Sequence, residues 1–488
     1  MSWLKFNQYK MFHLRSLLSK HAFLLWTLLS YALLFYVYNE KSYIVTVLVY
    51  GLILFLYFKR TFLETLFFTL LFVFPFQRGI RGWNISVVDA GPESWMSAYA
   101  FYFGFSLKLI FSTAILIFLF LSPTNVTEPK SCRLLSRLPL FFFCWALISV
   151  ITTDGLSISW LGLVSLIIPL SGFFAGRVLL VQEETRFRTL EVLTAGLALF
   201  VLVGTRQFLS QGPIGLFLED NAFRNSIGFY TSDGASLYRV SGLLGHPTFF
   251  GSYLSIIIPI SFALTVLSLA QKIRSHTLII LFSLTTILGI FALFGTLSRS
   301  AWVATGGAIT LLTIQSLGIF RKLRKNIFLA FLMLLLSLFV FFGGALLDRL
   351  TSLSAVWSQG TGVGRTHLIE QALFQITKFP LFGVGLNRFT EVMSAQDLPI
   401  VVRNFLFPVH NTFLLFFSEI GIPGGLLFII FTAGILYSSL QRATKSLLTF
   451  GVWVGAATFI VNSQFHTLFH QDPSLDIFMV LLAFLSVI

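Results

Sequence analysis

Charge is what this chain has least of. Only 11% of its 488 residues are Asp, Glu, Lys or Arg, 56% are hydrophobic, and the mean hydropathy is +0.87. Soluble globular domains carry about 25% charged residues, so an ordinary cytosolic domain is excluded. Cysteine is almost absent: Cys132 and Cys144 give neither a disulfide framework nor a metal-ligand spacing. Carboxylates are also few, 19 against 33 Lys and Arg, for a net charge of +14. Nucleic acid is not the implied partner, because no basic-aromatic RNA motif or DNA-reading helix accompanies the cations. Internal repeats are missing, which argues against a transporter built from two related halves.

What the chain does have is apolar sequence in long runs. A run of about 17–25 residues crosses the ~30 Å hydrocarbon layer as a helix. Such runs lie near 22–38, 42–58, 62–76, 98–121, 138–152, 156–181, 190–210, 246–271, 277–298, 301–319, 327–347, 411–440, 447–464 and 472–488. They are continuous rather than alternating, which favours helices over a β-barrel. The expected fold is all-α, a polytopic integral membrane protein with about fourteen transmembrane helices. Lys5, Lys10, Arg15 and Lys20 precede the first run, which has no small-residue cleavage site and reads as an uncleaved helix.

The connectors set the orientation. One alternating set, which includes the basic start, Lys59-Arg60, Arg186/Arg188 and Arg321 to Lys325, holds 19 of the 33 cations. Positive connectors stay in the cytoplasm, so the N-terminus is expected inside. The three long polar segments, 77–97, 211–245 and 348–410, then fall outside, and nine of the 11 cations on that side are Arg. Arginine's planar fork suits phosphate or carboxylate. The chain divides into an N-terminal bundle (1–210), a catalytic region (211–440, with the outer loop 348–410) and C-terminal helices (441–488).

Several residues at the outer edge carry chemistry. Arg239 precedes SGLLGHPTFFGSYL as an outer segment re-enters the membrane, and Arg299 sits in TLSRSAW between two runs with almost no loop. Together they suit a diphosphate, whose charge grows as it leaves. Arg365 opens a short amphipathic helix stopped by Pro380, with Leu368, Ile369, Ala372, Leu373 and Ile376 on one face, expected along the membrane surface. A cation in a first turn opposes the helix dipole, which points to a phosphate-facing role. His410 follows Pro408 and precedes Asn411, a good N-cap for the next span. An imidazole takes a hydroxyl proton near neutrality. Glu419, farther down that span before Gly421-Ile422-Pro423, reads as an orienter of the histidine. Arg388, Arg206 and Asn411 are accessory candidates, and Lys108 is a mid-span ionisable group. His466, His470, Asp472 and Asp476 resemble a metal set but occupy a short connector broken by Pro473, so no metal is assigned.

In this order, RVSGLLGHPTFFGSYL, TLSRSAW, GRTHLIEQALFQITKFPLFGVGLNRF and FPVHNTFLLFFSEIGIPGG resemble the O-antigen ligase/polymerase superfamily of bacterial membrane glycosyltransferases. The resemblance covers roughly Arg239 to Gly425. It departs at His246-Pro247-Thr248, where many members read Pro-Asn. It implies an undecaprenyl-diphosphate-linked glycan donor held by Arg239 and Arg299, with His410 as the catalytic base. It also implies an acceptor glycan or lipid A–core, neither metal nor cofactor, and an inner-membrane enzyme whose site faces the periplasm. A ligase is the expected activity and a polymerase extending the same lipid-linked glycan its near rival. A polysaccharide-lipid flippase is the rival from another class.

Overall fold

The computed structural model describes residues 22–76, 84–86, 102–104, 106–122, 129–153, 156–219, 229–232, 235–270, 276–325, 361–396, 407–468 and 473–488, with isolated positions between 328 and 344. Among these the fold is helical, with two short antiparallel hairpins. They pair β1 (Asn84–Ser86) with β2 (Tyr102–Gly104), and β3 (Phe229–Ser232) with β4 (Ala235–Tyr238).

The first part of the chain forms α1 (Ala22–Tyr36), α2 (Glu40–Leu56), α3 (Phe62–Val73), α4 (Leu107–Leu121), α5 (Leu138–Thr152), α6 (Leu156–Leu179) and α7 (Glu183–Ser210). The second part forms α8 (Pro247–Leu269), α9 (His276–Gly295), α10 (Arg299–Ile319), α11 (Thr361–Lys378), α12 (Phe389–Ser394), α13 (Thr412–Ala443), α14 (Leu447–Ser463) and α15 (Pro473–Val487). Seven described helices, from Leu135–Thr152 to Thr412–Ala443, are long and apolar enough to cross a membrane. Five more apolar helices have 10–17 residues, and α2 lies on the expected 42–58 run. The run at 327–347 lies largely outside the described residues.

Local chemistry explains the helix starts. Asn39 with Ser42, and Thr61 with Glu64, form reciprocal capping boxes, and Ser106 accepts from Leu109 N. One apolar core runs through helices from all three ranges of the chain. Within it α14 packs on α8, α15 on α6, and α8 also touches α9 and α10.

Two ends can be distinguished. Arg60 bonds Glu184, joining the starts of α3 and α7, and Gln315 Nε2 donates to the Thr444 carbonyl, joining the ends of α10 and α13. This end carries Arg186, Arg188, Arg321 and Arg442. The opposite end gathers the close of α7, the start of α8, the α9–α10 turn, the start of α13 and the close of α14.

The longest helix is broken. In α13, Gly421 adopts φ 74° and ψ 176°, followed by Pro423. Backbone groups freed by the break are taken by the PLFGVG turn: Val384 N donates to Ser418 O (2.9 Å) and Gly385 N to Glu419 O (2.8 Å), while Ile422 N of the helix donates to Pro380 O (2.7 Å). Non-helical backbone is tolerated among apolar helices only when its polar groups are satisfied in this way. The two chains press so closely that a Cβ on Gly383 would strike the Glu419 carbonyl, and one on Gly421 the Leu381 carbonyl. Ser149 and Trp145 close the knot with bonds to Phe382 O and Ile420 O.

The amphipathic face of α11 differs from the expected one. Leu368, Ala372 and Gln375 are buried, and Gln375 donates to Phe389 O, whereas Ile369 and Leu373 turn outward. The tether at Gln375 rotates the packed stripe by about one position.

Candidate active site

Arg239 begins a loop held from behind. Gln207, fully buried in the last turn of α7, accepts from Ser241 N (3.2 Å) and Gly242 N (2.8 Å) and donates to Gly242 O (2.8 Å). Glu219 holds Gln207 in turn at 2.6 Å. With its backbone fixed, the loop lays Arg239 across the α9–α10 turn, where its Nε donates to Thr296 O at 3.2 Å. His246 closes the loop and caps α8, its Nδ1 accepting from Thr248 N at 3.1 Å. That bond fixes the neutral tautomer with the proton on Nε2.

The α9–α10 turn is strained. Leu297 has φ 53°, the left-handed region that costs a bulky residue about 1–3 kcal/mol. Thr296 holds the turn, its Oγ1 donating to Leu293 O (2.7 Å) and accepting from Ser298 N (3.2 Å). This tight reversal makes Arg299 the first residue of α10 and points Ser300 at His466, Oγ to Nε2 2.9 Å.

His410 stands just before α13, between buried Val409 and Asn411. Asn411 is the cap, its Oδ1 accepting from Phe413 N and Leu414 N at 3.0 Å. The segment after α14 is stitched to this turn, with Thr467 Oγ1 donating to Val409 O (2.8 Å) and Thr412 Oγ1 to His466 O (2.9 Å).

Electrostatics shows how these groups gather. Burial first, and then the Arg365 charge, lowers His410 to about 4, opposed by a hydrogen bond at the Pro408 backbone. Burial, Arg239 and His410 lower His246 to about 3. His466 falls well below the ordinary imidazole value through burial and then Arg365, His410, His246 and Arg239. Arg365 is itself lowered by burial and by Arg299. Three guanidiniums and three neutral imidazoles thus share one electrostatic neighbourhood at the starts of α8, α10, α11 and α13. Helix N-termini add partial positive charge there, so the arrangement favours an anion.

Residues 284–429 match the family model described as O-antigen ligase. Over that stretch the chain is similar to this family. No curated protein matches the chain. The matched stretch contains Arg299, Arg365 and His410, whereas Arg239, His246 and His466 lie outside it and complete the neighbourhood from either side.

Other expected residues sit elsewhere. Arg388 is gripped by Glu391, Nε to Oε2 2.6 Å, and also donates to Val384 O. Arg206 is exposed, and its inward-facing neighbour Gln207 does the structural job. Glu419 lies seven residues along α13 from Thr412, roughly 10 Å of helix. Its Oε1 accepts from Phe389 N (3.4 Å), which anchors the start of α12. The connector group divides: His466 joins the site, while Asp476 pairs with Lys108 at 3.5 Å between α15 and α4. His470 and Asp472 lie outside the described residues. Among those described, no group of three or more His, Cys, Asp or Glu is placed to hold a metal ion. Gln207 carried no signal in the sequence, whereas His246 was marked as a departure from the family pattern and His466 as one of a metal-like set.

Proposed function

We propose that the chain is an inverting O-antigen ligase-like glycosyltransferase. It moves a glycan from undecaprenyl diphosphate to a sugar hydroxyl of lipid A–core. The observation that carries this reading is the neutral imidazole of His410 beside Arg365, with Arg299 next to Arg365 and Arg239 lying across the turn that carries Arg299. His410 removes the acceptor hydroxyl proton as that oxygen attacks the anomeric carbon from the face opposite the diphosphate. The bond to the diphosphate oxygen breaks, its electron pair leaves on that oxygen, and the guanidiniums hold the charge. Positioning of donor and acceptor supplies the remaining acceleration.

The basic connectors lie at the far end of the bundle, which supports a cytoplasmic N-terminus and a site facing the periplasm from the inner membrane. About fourteen spans, with the segment 348–410 outside, complete the proposed topology. A polymerase would use the same donor and the same cluster, so the acceptor separates the two. In a deletion strain, loss of a ligase leaves bare core and accumulates lipid-linked polymer, whereas loss of a polymerase leaves core with at most one repeat. Purified protein that transfers glycan without any gradient excludes a flippase, and absence of transfer with both acceptor types overturns the proposal.

A further inference from the structure

We propose that His466 is a positioning residue that fixes Arg299 relative to His410, an inference that rests on the transfer reaction proposed above. Its side chain holds one turn and its main chain the other. The ring Nε2 lies 2.9 Å from Ser300 Oγ, beside Arg299 in the first turn of α10. Its carbonyl accepts from Thr412 Oγ1 at 2.9 Å, and the same hydroxyl accepts from Leu468 N at 2.9 Å, immediately behind His410. Thr467 adds a third stitch at the Val409 carbonyl.

The Ser300–His466 bond falls on the first turn of α10, which starts without a side-chain cap. Ser298, the residue before Arg299, supplies none, and Leu297 before that is held in a left-handed conformation. A first turn without its cap is loosely determined, since its leading N–H groups have no partner within the helix. The Ser300–His466 bond restrains it from the side. His466 serves as a neutral ring, with one nitrogen donating and the other accepting. Burial first, and then Arg365, His410, His246 and Arg239, keep it uncharged.

The test uses full-length protein in nanodiscs with an undecaprenyl-diphosphate-linked glycan and an acceptor glycan. His466→Ala, Ser300→Ala, the double variant and His466→Gln are compared. One net hydrogen bond corresponds to roughly fivefold to tenfold, the loss of kcat/KM for donor expected of each alanine variant. The double variant should be no worse than either single one, because both remove the same link. Glutamine, whose amide reaches the same hydroxyl, should restore most of the rate. Losses that multiply in the double variant, an unaffected His466→Ala, or a Gln variant as poor as Ala with an unchanged melting temperature would each overturn the proposal. If His466→Ala does not fold, Ser300→Ala and His466→Gln decide by the same criteria. His410→Ala run alongside separates the two claims: an active His410→Ala removes the transfer reaction itself, whereas an inactive one beside a fully active His466→Ala removes only the tether.

Discussion

The two ends of this bundle treat arginine in opposite ways. At the end with the basic connectors, Arg60 meets Glu184 at 2.6 Å and Glu64 at 3.5 Å, and Arg188 meets Glu191 at 2.8 Å. Both of these arginines stand against carboxylates. At the other end Arg365 has Arg299 for an electrostatic neighbour, and the imidazoles of His410 and His466 feel its charge. The fold does pair arginines on that side when pairing is the aim, as Arg388 with Glu391 shows. Gathering like charges costs stability, and under the proposed function an anionic donor offsets that cost at the four helix starts.

The largest effect should come from the one group in that cluster suited to moving a proton. His410→Ala should lower transfer by about 10²–10⁴, the usual contribution of a general base, while the protein still inserts and melts normally. Steady-state turnover with purified protein checks this. Retained activity would make the site end as inert as its opposite.

Arg299→Lys comes next. It keeps the charge and loses the planar fork, so kcat/KM for donor should fall roughly tenfold to a hundredfold. An unchanged rate would mean that only net charge matters, and the contrast between ends would reduce to simple electrostatics.

Much of this was legible in the sequence, for definite reasons. Apolar runs announce helices by composition, and Arg239, Arg299 and His410 stood out because each sits where a run begins or ends. Gln207 did not, and His466 stood out only as one of a metal-like set. Their roles depend on Gly242 and Ser300, partners far along the chain that no spacing reveals. Asp476 looked like part of a connector cluster because chain proximity hid Lys108, which α4 brings to it. Glu419 was read from its neighbour in sequence, which does not reveal its bond to the start of α12.

Acidification gives a smaller effect with a definite sign. At pH 5 an imidazole with an ordinary pKa of 6.5 would be about 3% neutral, roughly a thirtyfold loss of base. At about 4, His410 stays about 90% neutral, so kcat/KM should drop less than twofold between pH 7 and pH 5. Stability follows the same direction. His410 and His246 have values lowered in the fold, so their contribution is complete above 6.5 and is lost as pH falls towards about 4 and about 3. The melting temperature should therefore decline over that window. A thirtyfold loss of kcat/KM by pH 5 would place the base in open water.

The smallest effect belongs at the opposite end, where it serves as the control for all the others. Glu184→Gln removes the carboxylate that Arg60 reaches, but the Glu184 side chain is 62% exposed, and an exposed pair contributes only about 0–1 kcal/mol. Arg60 keeps Glu64 at 3.5 Å and its place over the Phe23 ring, so the variant should melt close to the parent. Transfer kinetics should not change, because the bundle's full depth separates this pair from His410. A Glu184→Gln variant that slows transfer severalfold at an unchanged melting temperature would show that the two ends are coupled, and the cluster at the site end could no longer be treated as a self-contained anion site.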